Sequence, residues 1–145
     1  MKERSLVAFS LLSQMAVGAF WVLVGLRVWA EWRAGAEAAA ALTGGALLLV
    51  GPVMVLGILS SFFHLGSPLK SWRAIANLRV SWLSREIFCA LLFAAGTLLY
   101  AALQWLDWGP WAARNALAGV CALLGLALLA SMTRAYRLRT VPAWD

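Results

Sequence analysis

Residues 38–63, AAAALTGGALLLVGPVMVLGILSSFF, contain no charged side chain. A second uncharged run, IFCALLFAAGTLLYAALQWL, follows at 87–106. Each run is long enough to cross about 30 Å of hydrocarbon as a helix that rises ~1.5 Å per residue. The whole chain is 63% hydrophobic and only 12% charged, which leaves too little polar surface to cover a soluble globule. The sequence therefore predicts an integral membrane protein.

Two further apolar runs complete the predicted fold, which is all-α. We expect an integral membrane bundle of four transmembrane helices, at about 6–27, 38–63, 85–106 and 112–134. A β-barrel is a poor interpretation because the runs lack the alternation of barrel strands and are longer than such strands need to be. Little chain is left over, so residues 1–145 are predicted to form a single transmembrane domain, with any catalytic centre on a partner.

The segment between the second and third runs, HLGSPLKSWRAIANLRVSWLSRE at 64–86, concentrates charge. Ser67 followed by Pro68 is typical of a helix start, and apolar and basic side chains then fall on opposite faces. This pattern predicts a short interfacial amphipathic helix within 64–84. Its basic face would meet either a soluble subunit or anionic membrane lipid, and both interpretations fit the pattern equally.

Basic residues indicate the orientation in the membrane. Nine Lys and Arg residues fall on the side that carries the N-terminus, the 64–86 segment and the C-terminal tail, against three on the opposite side. The excess predicts that His64 and both termini face the cytoplasm in a multi-pass protein of the inner (cytoplasmic) membrane. The net charge of +6 is thereby attributed to topology and lipid contact, and nucleic acid is not an expected partner.

Two titratable residues flank the charged segment, His64 and Glu86. A histidine exchanges protons near neutral pH, as quinol oxidation at a membrane surface requires, and a nearby carboxylate would take the second proton. Arg85 is one of three arginines placed to stabilise a transient anion. The plainer alternative is that His64 is an interfacial side chain and that Glu86 complements the positive end of the third helix.

Metal chemistry of its own is not expected in this chain. A single histidine cannot supply two imidazole ligands to a haem, and Cys89 and Cys121 have no other ligand at metal-binding spacing. No phosphate loop, dinucleotide fingerprint or serine triad is present in the sequence. An enzyme with its own active centre is therefore disfavoured, and no haem or iron–sulfur cluster is predicted here.

Three stretches together resemble a known family. HLGSPLKSWRAIANLRVSWLSREI at 64–87, ERSLVAFSLLSQMAVG at 3–18 and YRLRTVPAWD at 136–145 look like the membrane anchor subunit of the dimethyl sulfoxide reductase group (DmsC-type). The resemblance covers the whole chain. It implies an anchor without a metal of its own that exchanges electrons between a membrane quinone (menaquinone or ubiquinone) and an iron–sulfur subunit. That subunit relays the electrons to or from a molybdopterin catalytic subunit.

The resemblance also suggests site residues. The family's quinol-site histidine matches His64 and its acidic residue matches Glu86, while Gln14 is a weaker candidate for lining the pocket and Arg85 lies beside Glu86. The basic residues expected to dock the iron–sulfur partner, or else only to set the topology, are Lys70, Arg73 and Arg79.

Family members typically have eight spans, whereas four are predicted here. Two functions remain open from the sequence. The first is an electron-transfer anchor with a quinone site around His64. The second is a structural four-helix membrane protein that only docks a partner and has no quinone site. A small carrier is less favoured, because none of the predicted spans has a charged residue at mid-depth.

Overall fold

The structure is a computed structural model that describes residues 2–62 and 82–136, with side chains at 5–61 and 82–134. These residues form three helices: α1 at Lys2–Phe62, α2 at Trp82–Trp105 and α3 at Trp111–Tyr136. The prediction of an all-α protein is confirmed. The interfacial helix predicted at 64–84 lies outside the described residues, except for its last three, which begin α2.

Helix α1 folds back on itself at Gly35. The backbone there has φ 88° and ψ 171°, a combination that is essentially restricted to glycine. Across this break the Arg27 Nη1 donates a hydrogen bond to Thr43 Oγ1 at 3.4 Å, although residues 16 apart in a straight helix are separated by about 24 Å. The two parts of α1, a first arm at 2–34 and a second arm at 36–62, therefore run antiparallel and side by side.

The described residues form three helices where the sequence predicts four spans, because the predicted spans at about 6–27 and 38–63 both fall in α1, which is described to Phe62. All three helices are long and apolar enough to cross a membrane, and in α1 the apolar stretch covers the 57 residues Ser5–Ser61. A straight helix of that length would extend about 85 Å, nearly three times the hydrocarbon thickness. The connection at 28–37, VWAEWRAGAE, is rich in residues that favour helix. The chain therefore stays helical on both sides of Gly35 and reverses at that one residue, without a separate loop.

The interior of the bundle draws on every helix. Phe20 of the first arm packs edge-to-face against Phe93 and Tyr100 of α2, with ring centroids 5.7 Å apart in both pairs. Met54 of the second arm and Leu128 of α3 are fully buried in the same core. Many large apolar side chains remain exposed on the outside of the bundle, as expected of helices that face lipid. The described residues thus form a helical membrane bundle.

The bundle has two distinct ends. At one of them, here called the pocket end, α1 ends at Phe62 and α2 begins at Trp82, and the Arg134 side chain of α3 contacts the Trp82 ring. The other, here called the turn end, holds Gly35 and the short connection at 106–110. Residue 107 has φ 47° and Gly109 has φ 85°, which lets α2 and α3 pack antiparallel across a tight connection.

Candidate functional site

A cavity of about 80 Å³ opens at the pocket end between the two arms of α1 and the start of α2. Its walls are almost entirely apolar. The lining residues are Leu6, Phe9, Ile58, Ser61, Leu83, Glu86, Ile87 and Ala90. That volume holds about five water molecules, and the walls are suited to an apolar ring that makes only one or two polar contacts.

Glu86 is the charged group among the described residues that line this cavity. It lies within the first two turns of α2, and only 2% of its surface is exposed. Helical spacing brings Leu83 and Ala90, three residues before and four after, to the same face, and both line the cavity. An ionisable residue buried in a membrane helix is expensive and is a functional-site hypothesis by default.

Ser61 supplies the second polar group. Its hydroxyl donates a hydrogen bond to the Ile58 carbonyl at 2.7 Å, so its oxygen lone pairs remain able to accept a hydrogen bond from a ligand. Ser61 is the last but one residue of α1, and Glu86 is the fifth residue of α2. Both polar groups therefore lie near helix ends, toward one surface of the bundle.

The structure distributes the other predicted site residues differently. Arg85 adjoins Glu86 in sequence, but it does not line the cavity, and its guanidinium carbon lies over the Trp82 ring, 4.3 Å from the centroid. Successive helical residues point about 100° apart, so the two side chains diverge. Gln14 is exposed on the first arm and is also not a lining residue; its role stays a prediction. The predicted residues outside the described ranges are His64, Lys70, Arg73 and Arg79.

Sequence reasoning missed most of the cavity wall. Leu6 and Phe9 come from the first arm and Ile58 from the second, and all three sit in long, mainly apolar runs without charge. Nothing in those runs separates a residue that faces a cavity from one that faces lipid. These residues could be found only by knowing which segments pack against each other. That packing depends on the fold-back at Gly35.

A cluster of polar side chains at the turn end was also missed, and it closes the bundle there. Arg27 is buried, and its Nε donates to Glu31 Oε1 at 3.1 Å. Trp111 Nε1 of α3 donates to the other carboxylate oxygen of Glu31 at 3.2 Å, and Arg27 also reaches Thr43 of the second arm. Two ion pairs are found within the described residues, Arg27 with Glu31 and Arg114 with Asp107, and both lie at the turn end. The buried Arg27 is paired at this end of the bundle, as is expected of a charge inside a membrane bundle.

Comparison with known proteins bears directly on the resemblance noted in the sequence. The family model described as DMSO reductase anchor subunit (DmsC) matches residues 1–145. The chain belongs to the DmsC family. The resemblance is thereby confirmed over its whole length, and the protein is a DmsC-type membrane anchor with several membrane-spanning helices.

Relatives of this DmsC-type chain share its full length at moderate identity. It is 32% identical to the anaerobic dimethyl sulfoxide reductase chain YnfH of Escherichia coli over 98% of its own length and 49% of that protein. It is 26% identical to an anaerobic dimethyl sulfoxide reductase chain of Haemophilus influenzae over 99% of its own length and 50% of that protein. The chain thus spans about half the length of these relatives.

A third relative is more similar over a shorter segment. The chain is 43% identical over 56 residues to a sulfite dehydrogenase subunit of Allochromatium vinosum, and those residues are 39% of this chain and 17% of that protein. No solved structure matches the chain.

Proposed function

We propose that this DmsC-type chain anchors a molybdopterin oxidoreductase complex and binds the head group of menaquinone or ubiquinone in the cavity at Glu86. Electrons would pass between the quinone and an iron–sulfur subunit docked at the pocket end, and from there to or from a molybdopterin catalytic subunit. The observation that carries the proposal is a buried carboxyl group facing an apolar cavity between three helical segments. Membership of the anchor family supports it.

The chemistry of the cavity suits a quinone. A quinone ring is apolar apart from two oxygens, so it needs apolar walls and a few hydrogen-bonding groups at its ends. Glu86 and Ser61 are such groups, and both act as donors or acceptors according to protonation or rotation. Leu83 lines the cavity and is 53% exposed, which leaves an apolar opening toward lipid for the isoprenoid tail.

The full oxidation of a quinol removes two protons and two electrons in all. Oxidation of one quinol to quinone releases two protons from its hydroxyl groups and two electrons from its ring. In this proposal Glu86 accepts one proton, and His64, two positions beyond Phe62 in the sequence, accepts the other. The electrons pass singly to the iron–sulfur partner, for which Lys70, Arg73 and Arg79 are the proposed docking residues. The reverse sequence reduces quinone.

The proposed topology has four crossings of the inner membrane. Each arm of α1 makes one, and α2 and α3 make one each. Each of these segments has at least 24 residues, enough to cross the hydrocarbon. The excess of basic residues on the side of the 64–86 segment supports a cytoplasmic pocket end and cytoplasmic termini.

Glu86→Gln is the direct test. The change keeps the size of the side chain and removes proton exchange and any charge-assisted hydrogen bond, which is worth about 1.5–3 kcal/mol. We expect at least tenfold weaker binding of a quinol analogue, measured by titration of the chain purified with its partners from native membranes. Glu37→Gln, an exposed glutamate near the turn end, is the matched control and should bind like the unchanged protein.

The same preparations separate the proposal from its alternative. Mass spectrometry of co-purifying proteins should recover an iron–sulfur protein and a molybdopterin enzyme. If these partners are recovered and Glu86→Gln binds the quinol analogue as tightly as Glu37→Gln does, the chain is a structural anchor without a quinone site at Glu86.

A further inference from the structure

Ser13 of the first arm carries a buried hydroxyl group without a hydrogen-bond partner. The residue is 0% exposed. Within the described part of the chain, two buried side-chain polar atoms make no hydrogen bond, Ser13 Oγ and Arg114 Nε, and Arg114 bonds elsewhere through Nη1. A buried polar group left unpaired is unfavourable, and each one in a folded protein needs an explanation. A ligand that supplies the missing bond is such an explanation.

The hydroxyl of Ser13 does not bond back to its own helix. Three other buried hydroxyl groups donate to the carbonyl four residues earlier at 2.7–2.8 Å, those of Thr43, Thr97 and Ser131. The equivalent carbonyl for Ser13 is that of Phe9, and the Ser13 hydroxyl makes no bond to it. Ser13 Oγ lies instead against Gly57 of the second arm, 3.7 Å from the point that a Cβ on that glycine would occupy. It therefore lies in the seam between the two arms.

The contacts of Phe20 set the depth of Ser13 in the bundle. Phe20 packs against the rings of both Phe93 and Tyr100, so it lies level with the middle of that stretch of α2. The first arm and α2 both run inward from the pocket end, and Ser13 comes about two turns before Phe20. Ser13 is therefore about level with Ala90, the lining residue of α2 that lies deepest in the bundle.

Ser13 thus adjoins the inner end of the cavity. Phe9, one turn before Ser13 on the same face of the helix, and Ile58, which follows Gly57, both line the cavity. Ser13 is not itself a lining residue. It lies behind these two side chains, where the two arms meet.

We propose that the Ser13 hydroxyl donates a hydrogen bond to the quinone oxygen whose proton Glu86 exchanges. The inference rests on the proposed quinone function and adds to it a second binding group for that oxygen. Glu86 is one turn nearer the pocket end than Ala90, so about 5.4 Å along the axis separates it from the depth of Ser13. Two hydrogen bonds of about 2.8 Å that meet at one oxygen span nearly that distance. The ring oxygen reaches Ser13 by entering the seam between Phe9 and Ile58.

A serine hydroxyl suits this oxygen in both oxidation states. When Glu86 takes the proton of the quinol hydroxyl, the ring oxygen gains negative charge, and the Ser13 O–H stabilises that charge. In the quinone the same O–H donates to the carbonyl oxygen. Ser13 exchanges no proton, so one proton still goes to Glu86 and the other to His64.

Binding of a short-tailed hydroquinone to the chain purified with its partners from native membranes tests the proposal. Ser13→Ala should bind it about three- to tenfold more weakly, the effect of one neutral hydrogen bond. The alkylbenzene with the same tail, which lacks both ring oxygens, should bind equally to Ser13→Ala and the unchanged protein. Ser131→Ala is the matched control, because that buried hydroxyl already donates to the Ala127 carbonyl, and it should bind the hydroquinone normally.

Stability provides a second measurement. Without added hydroquinone, Ser13→Ala should be at least as stable as the unchanged protein in equilibrium unfolding, because the substitution removes no hydrogen bond. A lower unfolding midpoint would overturn the proposal, since it would show that the hydroxyl has a partner within the protein.

The binding results separate this inference from the function on which it rests. Equal weakening of hydroquinone and alkylbenzene binding in Ser13→Ala would assign the loss to packing and overturn the proposal. Normal hydroquinone binding by Ser13→Ala, with weaker binding by Glu86→Gln, would remove Ser13 from the site and leave the quinone function in place. Normal binding by both variants would overturn both.

Discussion

Replacing Gly35 by alanine should destabilise the bundle through the backbone alone. The residue has φ 88° and ψ 171°, a region that costs a non-glycine residue about 1–3 kcal/mol. A Cβ at this position would meet no atom within 4 Å, so steric collision adds nothing to that cost. Alanine also lowers the entropy of the unfolded chain, which offsets about 0.4–1 kcal/mol. The expected net loss in free energy of unfolding is therefore about 1.3 kcal/mol at the midpoints of these ranges, with an upper bound of about 2.6 kcal/mol.

The assay is equilibrium unfolding in mixed detergent micelles, followed by circular dichroism, with Gly119→Ala as the matched control. Gly119 lies within α3, and a Cβ there also meets no atom within 4 Å. In a regular helix alanine is favoured over glycine by about 0.5–1 kcal/mol, so this control should be slightly stabilised. Equal stability of the two variants would refute the fold-back at Gly35, because a continuous helix would accept alanine equally well at both positions.

Two further predictions concern the two ends of the bundle. Ala90 lines the cavity and is almost fully buried, so the larger side chain in Ala90→Leu should fill part of the cavity and weaken binding of a quinol analogue about tenfold. Ala95 is exposed, and the control variant Ala95→Leu should bind the analogue normally. Normal binding by Ala90→Leu would place the quinone elsewhere. Arg27→Met should lower the free energy of unfolding by about 2–3 kcal/mol, since it removes the ion-pair partner of Glu31 from a buried cluster. Exposed Arg33→Met should change stability by less than about 0.5 kcal/mol, and an equal effect of both arginine variants would show that the Arg27 contacts contribute nothing.

Long-range pairing is the part of this fold that the sequence does not reveal. The apolar runs and Glu86 stand out because a membrane span is long and a carboxyl group at the start of one is rare. By contrast, the turn at Gly35 is hidden in a helix-favouring stretch. A glycine inside such a stretch is equally consistent with a packing residue, and only tertiary contacts decide between packing and reversal.

In the candidate site, too, the sequence identifies polar residues but does not show which residues face the cavity. Glu86 is predictable because it is a carboxyl group at the junction of the charged segment and an apolar run, and the structure places it in a cavity wall. Gln14 stands out on the same basis, yet it is exposed on its arm and does not line the cavity. Polarity alone does not tell which face of a helix packs against the bundle. Phe9 and Ile58 are apolar like most residues around them, so the sequence does not distinguish them. Their place in the cavity wall follows only from the antiparallel packing of the two arms.

Photolabelling with a quinone that carries a photoreactive group on its ring tests the central claim most directly. The label is applied to the chain in native membranes, and adducts are mapped by mass spectrometry of its peptides. The proposed site predicts adducts at 83–90 on α2 and at 58–61 on the second arm, reduced in Ala90→Leu. Adducts confined to the lipid-facing surface around Gln14, or to the turn end, would contradict a quinone site in the Glu86 cavity.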